Sequence, residues 1–231
     1  MLAQFSAGFR NRRIYRVPVR VDNDANAAAL AETLWGAGRG YKNVFYISLG
    51  TGIGTGLVLD GRVYHGHTGS AAEGGHVSID YRGPQCPCGK RGCIEILASG
   101  PAIANRARDL VATHPNAAAS MLELAGGSAA AITGEIVGKA YLAGDSGARG
   151  VLESTIHLLS LWLGNMIDLL DPDIIISGGG VSTMLRPFFP EIRNFLPSCC
   201  VNSRCLEIPL VSASYGEDAG IAGGAALSSL V

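Results

Sequence analysis

Three cysteines, Cys86, Cys88 and Cys93, fall within eight residues, and His76 lies ten residues before the first of them. Thiolate and imidazole are the ligand types zinc prefers, and one histidine with three cysteines closes a tetrahedral structural site. Gly89 and Gly92 let a short loop turn tightly enough to bring its sulfurs onto one ion. Lys90 and Arg91 stand beside the thiols, where positive charge favours the deprotonated form a metal needs. Free cysteines or a disulfide pair are the competing reading. Clustered Cys and His in an intracellular enzyme favours the metal.

Two carboxylates flank this loop: Glu73 precedes His76 by three residues and Glu95 follows Cys93 by two. Fixed carboxylates suit a polyhydroxylated ligand, because they accept charge-assisted hydrogen bonds from hydroxyls; taken alone, each reads as an ordinary surface residue. Upstream, Asp22-Asn23-Asp24-Ala25-Asn26 opens an Ala- and Leu-rich helix with Asn23 or Asp24 as its N-cap. A carboxylate there is stabilised as the anion by the free N–H groups and the helix dipole, and is placed to take a proton from an alcohol. The plainer reading is a cap with no chemistry. Gly50-Thr51-Gly52-Ile53-Gly54-Thr55-Gly56 between two strands would let backbone N–H groups approach phosphate oxygens, Thr51 adding a hydroxyl. No Gly-Lys-Ser/Thr follows it, and a hairpin rather than a helix comes next, so neither common nucleotide fingerprint applies. Gly178-Gly179-Gly180, between a strand and a helix, is a geometry that brings backbone close to a nucleotide.

These groups need elements to hold them. Hydrophobic residues make up 48% and charged residues 16%, enough for a substantial core, and the net charge of −1 offers nothing to attract nucleic acid. No signal peptide or apolar run of membrane-spanning length is present, which points to a soluble, cytoplasmic α/β protein. Strands are expected over 17–21, 43–49, 57–59, 62–64, 173–177 and 207–212. Helices are expected over 25–35, over 94–108 with an interruption at Ser99-Gly100-Pro101, and over 109–150 with breaks at Pro115, Gly126-Gly127 and Gly144. Further helices follow over 151–170, 183–195 and 218–230, the last built of small residues. Arg10, Arg12, Arg13, Arg16 and Arg20 read as a solvated basic face. Asp168, Asp171 and Asp173 read as structural, and Cys199, Cys200 and Cys205 as core or bystander thiols.

In order, the motifs Asp-Asn-Asp-Ala-Asn (22–26), Leu-Gly-Thr-Gly-Ile-Gly (49–54), Glu-x-Gly-His (73–76), Cys-x-Cys-Gly-x-x-Gly-Cys-x-Glu (86–95) and Ser-Gly-Gly-Gly (177–180) resemble the ROK family of sugar kinases and repressors. The resemblance spans residues 17–231 and is strongest to the family's kinases that act on glucose. It implies an actin-like ATPase fold, two ribonuclease-H-like α/β domains with substrate in the cleft. It further implies Asp24 as catalytic base, with Asn23, Asp24, Glu73, His76 and Glu95 contacting the sugar. His76, Cys86, Cys88 and Cys93 would hold a structural zinc. Thr51 and Gly52 match the family's second phosphate loop, and Gly178, Gly179 and Gly180 its adenosine loop. A hexose and ATP with magnesium are the implied substrates, and a homodimer or higher homo-oligomer is expected.

Kinases of the family carry an Asp-x-Gly-Gly-Thr phosphate loop well before the Asn-Asp pair, whereas here twenty-two residues precede Asn23 and none match it. The implied fold is therefore N-terminally truncated. Residues 1–40 would be the remnant of a first α/β domain, with helix 217–231 packed on it, and 41–216 a large α/β domain bearing the loop 76–95. Exposed apolar surface at the last helix would favour association. With part of the phosphate-positioning groups missing, the chain as written is expected to turn over little or no ATP. Two classes follow: a hexose kinase, glucose first, or the non-catalytic sugar-binding effector module of a repressor. No helix-turn-helix segment is present, so direct nucleic acid binding is not expected, nor is a membrane partner.

Overall fold

A computed structural model describes residues 17–229, so Arg10, Arg12, Arg13 and Arg16 of the basic patch lie outside the described residues. Among the described residues, five strands form one mixed sheet in the order β3-β2-β1-β4-β5. β1 (Val44–Leu49), β2 (Ile53–Leu59) and β3 (Arg62–Val63) make an antiparallel meander. β4 (Ile174–Gly178) runs parallel to β1, and β5 (Leu210–Ser212) parallel to β4. Side chains alternate across a strand. Phe45, Ile47, Leu49, Ile53, Leu57 and Ile175 accordingly enter one core, and Val44, Tyr46, Val58, Ile174 and Ile176 another.

The helices are α1 (Asp24–Trp35), α2 (Ile94–Ala98), α3 (Gly100–Thr113), α4 (Ala119–Leu124), α5 (Gly134–Leu142), α6 (Ser146–Leu170), α7 (Gly180–Leu185), α8 (Phe189–Phe195) and α9 (Ala219–Ser228). The first core lies under α2 to α8, with α6 as its longest member at 25 residues, or ~37 Å. That helix buries Leu152, Ile156, Leu159, Trp162, Leu163 and Ile167. It begins five residues before the expected Val151, because the Asp145 carboxylate caps it by accepting from Ala148 N–H at 2.8 Å.

The opposite face is covered by α1, with α9 packed against it. Ala25, Ala28 and Ala29 are small enough to bring α1 close to the sheet. The contact is so close that a Cβ on Gly56 would lie 2.5 Å from the Ala25 carbonyl oxygen. α9 packs on α1, and α1 itself rests on β1 and β2, strands of the 41–216 segment. The end of α1 is locked by Glu32, a buried carboxylate that accepts from Ala37 N–H at 2.9 Å, Ser214 N–H at 2.7 Å and Tyr215 N–H at 3.2 Å.

Several boundaries differ from expectation, each for a physical reason. Residues 17–21 form no strand: Val17 and Val21 are exposed, and the segment pairs with none of the five strands. β2 starts at Ile53 rather than Leu57, so half of the glycine-rich run is strand. The 183–195 helix is two, α7 and α8, split by a 3-10 turn at Arg186–Phe188 that contains Pro187. β5 is shorter than 207–212 because the Glu207 and Ile208 N–H groups bond back to the Arg204 carbonyl. Asp168 and Asp173, around the end of α6, hold backbone N–H groups, as expected of structural residues. Asp168 accepts from the N–H groups of Val201 and Asn202, and Asp173 from those of Lys42 and Asn43.

One polar group in the core has a testable consequence. Ser177 Oγ is buried without a hydrogen-bond partner, and the small pocket it faces is otherwise lined by Ile47, Leu49, Leu159 and other aliphatic or aromatic side chains. A water there would find no second partner. Ser177→Ala is therefore expected to be neutral or to raise stability by about 1 kcal/mol, read as a melting temperature unchanged or up by roughly 2–4 °C. A clear drop would reveal a hydrogen bond to Ser177 that the packing does not suggest.

Candidate functional site

The first three residues of β2 are the point of assembly. Ile53 N–H donates to Glu95 Oε2 at 2.9 Å, fixing the carboxylate on the first turn of α2. Gly54 faces Ala25, with 3.5 Å between a Cβ built there and the alanine methyl, which places the start of α1 and its Asp24 over this end of the strand. Thr55 Oγ1 donates to the Ala72 carbonyl at 2.5 Å and accepts from Gly74 N–H at 2.8 Å, bracketing Glu73. Glu73 is exposed at the N-cap of the 3-10 turn Gly74–His76. That turn lies so close to β2 that a Cβ on Gly75 would sit 1.9 Å from the Ile53 carbonyl oxygen. Trp162 Nε1 donates to the Gly74 carbonyl at 3.0 Å from the far side, out of the buried face of α6. Thr55 and Trp162 carry no signal in the sequence that would mark them as supports of the site.

At the start of α1, Asn23 rather than Asp24 is the cap: Asn23 Oδ1 accepts from Ala25 N–H at 2.9 Å and Asn26 N–H at 3.3 Å. Asp24 is the first helical residue and is exposed, with Oδ1 accepting from Ala25 N–H at 2.8 Å.

His76, Cys86, Cys88 and Cys93 converge, their ligand atoms all within 4.8 Å of one another; among the described residues they are the one such group of three or more. His76 Nδ1 lies 3.7 Å from Cys86 Sγ, and Cys88 Sγ 3.6 Å from Cys93 Sγ. Ligands on a tetrahedral zinc with bonds of about 2.3 Å stand about 3.8 Å apart, so the donor set fits that ion. The loop is folded by short bridges, Ser78 with Cys93 and Gln85 with Arg91. Gly92 is obligatory in it, because its φ is +58° and a Cβ would lie 1.7 Å from the Asp80 carbonyl oxygen.

The electrostatics of the thiols differ from the expectation that charge from both Lys90 and Arg91 lowers them. A hydrogen bond from the Lys90 backbone is the main effect holding the Cys88 thiol below the ordinary range, and the Lys90 charge contributes least. The Lys90 ammonium donates to the His76 carbonyl at 2.5 Å, and Arg91 turns towards Gln85. Burial pushes the Cys93 thiol up to about 12, the neighbouring thiols adding to it. The other carboxylate oxygen of Glu95, Oε1, lies 3.9 Å from His76 Nδ1, so one side chain lies against both the Cys/His cluster and β2.

Two glycine loops lie at the carboxyl ends of parallel strands, the edge at which open α/β sheets bind ligands. Gly50, Thr51 and Gly52 link β1 to β2, and Gly178, Gly179 and Gly180 link β4 to α7. They are adjacent: Gly100 N–H donates to the Gly50 carbonyl at 2.9 Å, while a Cβ on Gly100 would touch Val181 at 3.2 Å. A Cβ on Gly52 would lie 2.6 Å from Glu95 Oε2, which ties the first loop to the carboxylate. Not every glycine of 50–56 belongs to the loop between β1 and β2. Gly54 and Gly56 lie inside β2 and face α1. Tyr46, between α1 and Gly178, has its phenol pushed up to about 12 by burial and by the nearby Glu32 and Asp24 charges.

The match to the family model described as the ROK family covers residues 11–230; the chain belongs to that family, and its α/β fold is that of ROK sugar kinases. It is similar to the glucokinase of Halalkalibacterium halodurans, 38% identical over 90% of this chain and 63% of the relative's length. It is also similar to the crystal structure of a ROK family glucokinase from Streptomyces griseus in complex with glucose and AMPPNP. The TM-score is 0.82 and the identity 35%, over 94% of this chain and 70% of that one. The xylose repressor of Bacillus subtilis is 29% identical over 94% of this chain and 51% of its own length. The chain therefore spans under two thirds of the length of the first of these relatives.

Proposed function

We propose that the protein phosphorylates a hexose, glucose by preference, from ATP. The observation that carries this reading is that Glu95 on Ile53 N–H, Gly74 on Thr55 and Ala25 over Gly54 bring the segments bearing Asp24, Glu73, His76 and Glu95 to one end of β2, beside the glycine loops at the ends of β1 and β4. The glucose and AMPPNP bound by the Streptomyces griseus relative supply the ligand chemistry. Asn23, Asp24, Glu73, His76 and Glu95 hold the sugar hydroxyls in this reading. Asp24 takes the proton of the 6-hydroxyl as that oxygen bonds to the γ-phosphorus and the bond from phosphorus to the β,γ-bridging oxygen breaks, leaving ADP. Thr51, Gly52 and Gly178 to Gly180 orient the nucleotide, whose phosphates travel with magnesium. Most of the rate comes from alignment and electrostatics, since phosphoryl transfer asks little covalent chemistry of the protein.

His76 through Nδ1, with Cys86, Cys88 and Cys93, would hold a zinc ion. With these four residues as its ligands, the bound ion would supply folding energy and a fixed loop and would have no open position for Lewis-acid work. Cys93 is also the N-cap of α2, so the same loop that gathers the thiols aims Glu95.

Calorimetry with glucose, and a coupled assay of glucose 6-phosphate formation from ATP, test the reading. Glucose binding together with phosphorylation supports it, and no glucose binding sinks it. A second reading, a sugar-binding effector module, is favoured by the similarity to the xylose repressor over 94% of this chain. Sugar binding with no phosphorylation in any form of the protein would select that reading.

A further inference from the structure

We propose that His65 is a positioning residue: through Asp22 it pins the loop 64–73 to the Asn23–Asp24 turn, so that the two sides of the hexose site move as one body. Asp22 has no part in the chemistry outlined above, yet its carboxylate is fully used. Oδ1 accepts from Asn23 N–H at 2.8 Å and from Asn26 Nδ2 at 3.0 Å, and Oδ2 lies 2.6 Å from His65 Nε2. A carboxylate can only accept, so His65 must carry its proton on Nε2 and donate it. The Asp22 side chain is 11% exposed while the His65 ring is 48% exposed, so the imidazole reaches in from solvent to a seated acceptor.

The loop is fixed at its other end by different atoms. The His65 carbonyl accepts from Ala71 N–H at 3.1 Å, closing the turn. Ala72 follows at φ +61°, a conformation alanine rarely adopts, with its carbonyl held by Thr55 Oγ1 directly before Glu73. Residues 66–70, between the two anchors, are exposed. The route from Glu73 to Asp24 therefore runs two ways, along β2 and across the His65–Asp22 hydrogen bond. Asn26, buried at 4% exposure under the turn, donates to the other oxygen of the same Asp22 carboxylate, so loss of the pin loosens the first turn of α1 as well as the loop.

The consequence for sugar affinity rests on the hexose-kinase reading; the pin itself does not. Hydrogen–deuterium exchange of the segments 18–30 and 62–76, and calorimetric titration with glucose, are measured on the wild type, His65→Ala and His65→Gln. Glutamine places an amide N–H where imidazole Nε2 stands, so it restores the donor. His65→Ala is expected to exchange faster in both segments together and to bind glucose roughly tenfold more weakly, as befits one lost hydrogen bond to a charged group. His65→Gln is expected to return both to the wild-type values. The proposal is overturned if segment 18–30 does not respond to His65→Ala, if glutamine is no better than alanine, or if glucose affinity is equal in the wild type and His65→Ala. A wild-type protein that takes no glucose while the two segments still respond together to His65→Ala rejects the hexose reading and upholds the pin.

Discussion

Asp24→Asn is expected to slow glucose phosphorylation by ~10²–10⁴-fold while leaving glucose affinity within a few-fold, the range a positioned general base contributes. The geometry makes this substitution unusually clean. Asn23 carries the cap, bonded to Ala25 N–H and Asn26 N–H, so the helix start does not depend on the residue that is changed. Asparagine is nearly isosteric and can still accept a hydrogen bond from a sugar hydroxyl, but it cannot take up the proton. The loss should therefore fall on kcat and not on the glucose KM. The measurement is a steady-state assay of a form of the protein that phosphorylates glucose, with the melting temperature as a control for folding. Undiminished kcat would remove Asp24 from the mechanism, and a loss confined to KM would make it a binding residue only.

Removing the metal should have the largest effect on stability. Purified protein is expected to contain one zinc per chain, and both chelation and Cys93→Ser should lower the melting temperature by about 6–12 °C. That is the shift that about 3 kcal/mol produces in a chain of this size. Cys93 is the most informative ligand to change, because it is fully buried and also caps α2 beneath Glu95. Burial without metal pushes its thiol up to about 12, so binding must displace protons, and zinc affinity should fall as the pH is lowered. Metal analysis and differential scanning calorimetry check this. A reduced, metal-free protein that melts with the purified one would reduce the cluster to four unliganded side chains. Glucose binding by the metal-free protein is a further check, since Glu95 takes its place from this loop.

The convergence of the Cys/His cluster was legible in the sequence because all four residues lie within eighteen positions and are types that clustered metal sites use. The start of α1 was legible for the same reason, a cap next to an Ala-rich run, although local pattern did not decide between Asn23 and Asp24. β2 was not legible. Gly50 to Gly56 reads locally as one glycine loop, and only the arrival of α1 from about thirty residues upstream shows why Gly54 and Gly56 are small. Thr55 and Trp162 escaped for a related reason. A threonine among glycines and a tryptophan in an apolar helix look like ordinary loop and core residues until their partners at Ala72 and Gly74 are in place. Residues 17–21 show the reverse error: an alternating apolar segment looks like a strand, yet a strand needs a neighbour to bond with, and here none of the five is beside it.

Glu32 sets an order in which the fold can be completed. Two of its three hydrogen-bond donors, Ser214 and Tyr215, come 182 and 183 residues later in the chain. On a ribosome adding about 5–20 residues per second, they emerge roughly 10–35 s after the carboxylate they serve. Until then, pressing α1 onto the sheet would strip water from an acid with most of its partners missing, a penalty of several kcal/mol. Docking of this helix on the sheet is therefore expected to become favourable only once Ser214 and Tyr215 are made. The connection from β5 to α9 acts as a clasp, and its arrival late in synthesis is what allows the helix carrying Asp24 to settle.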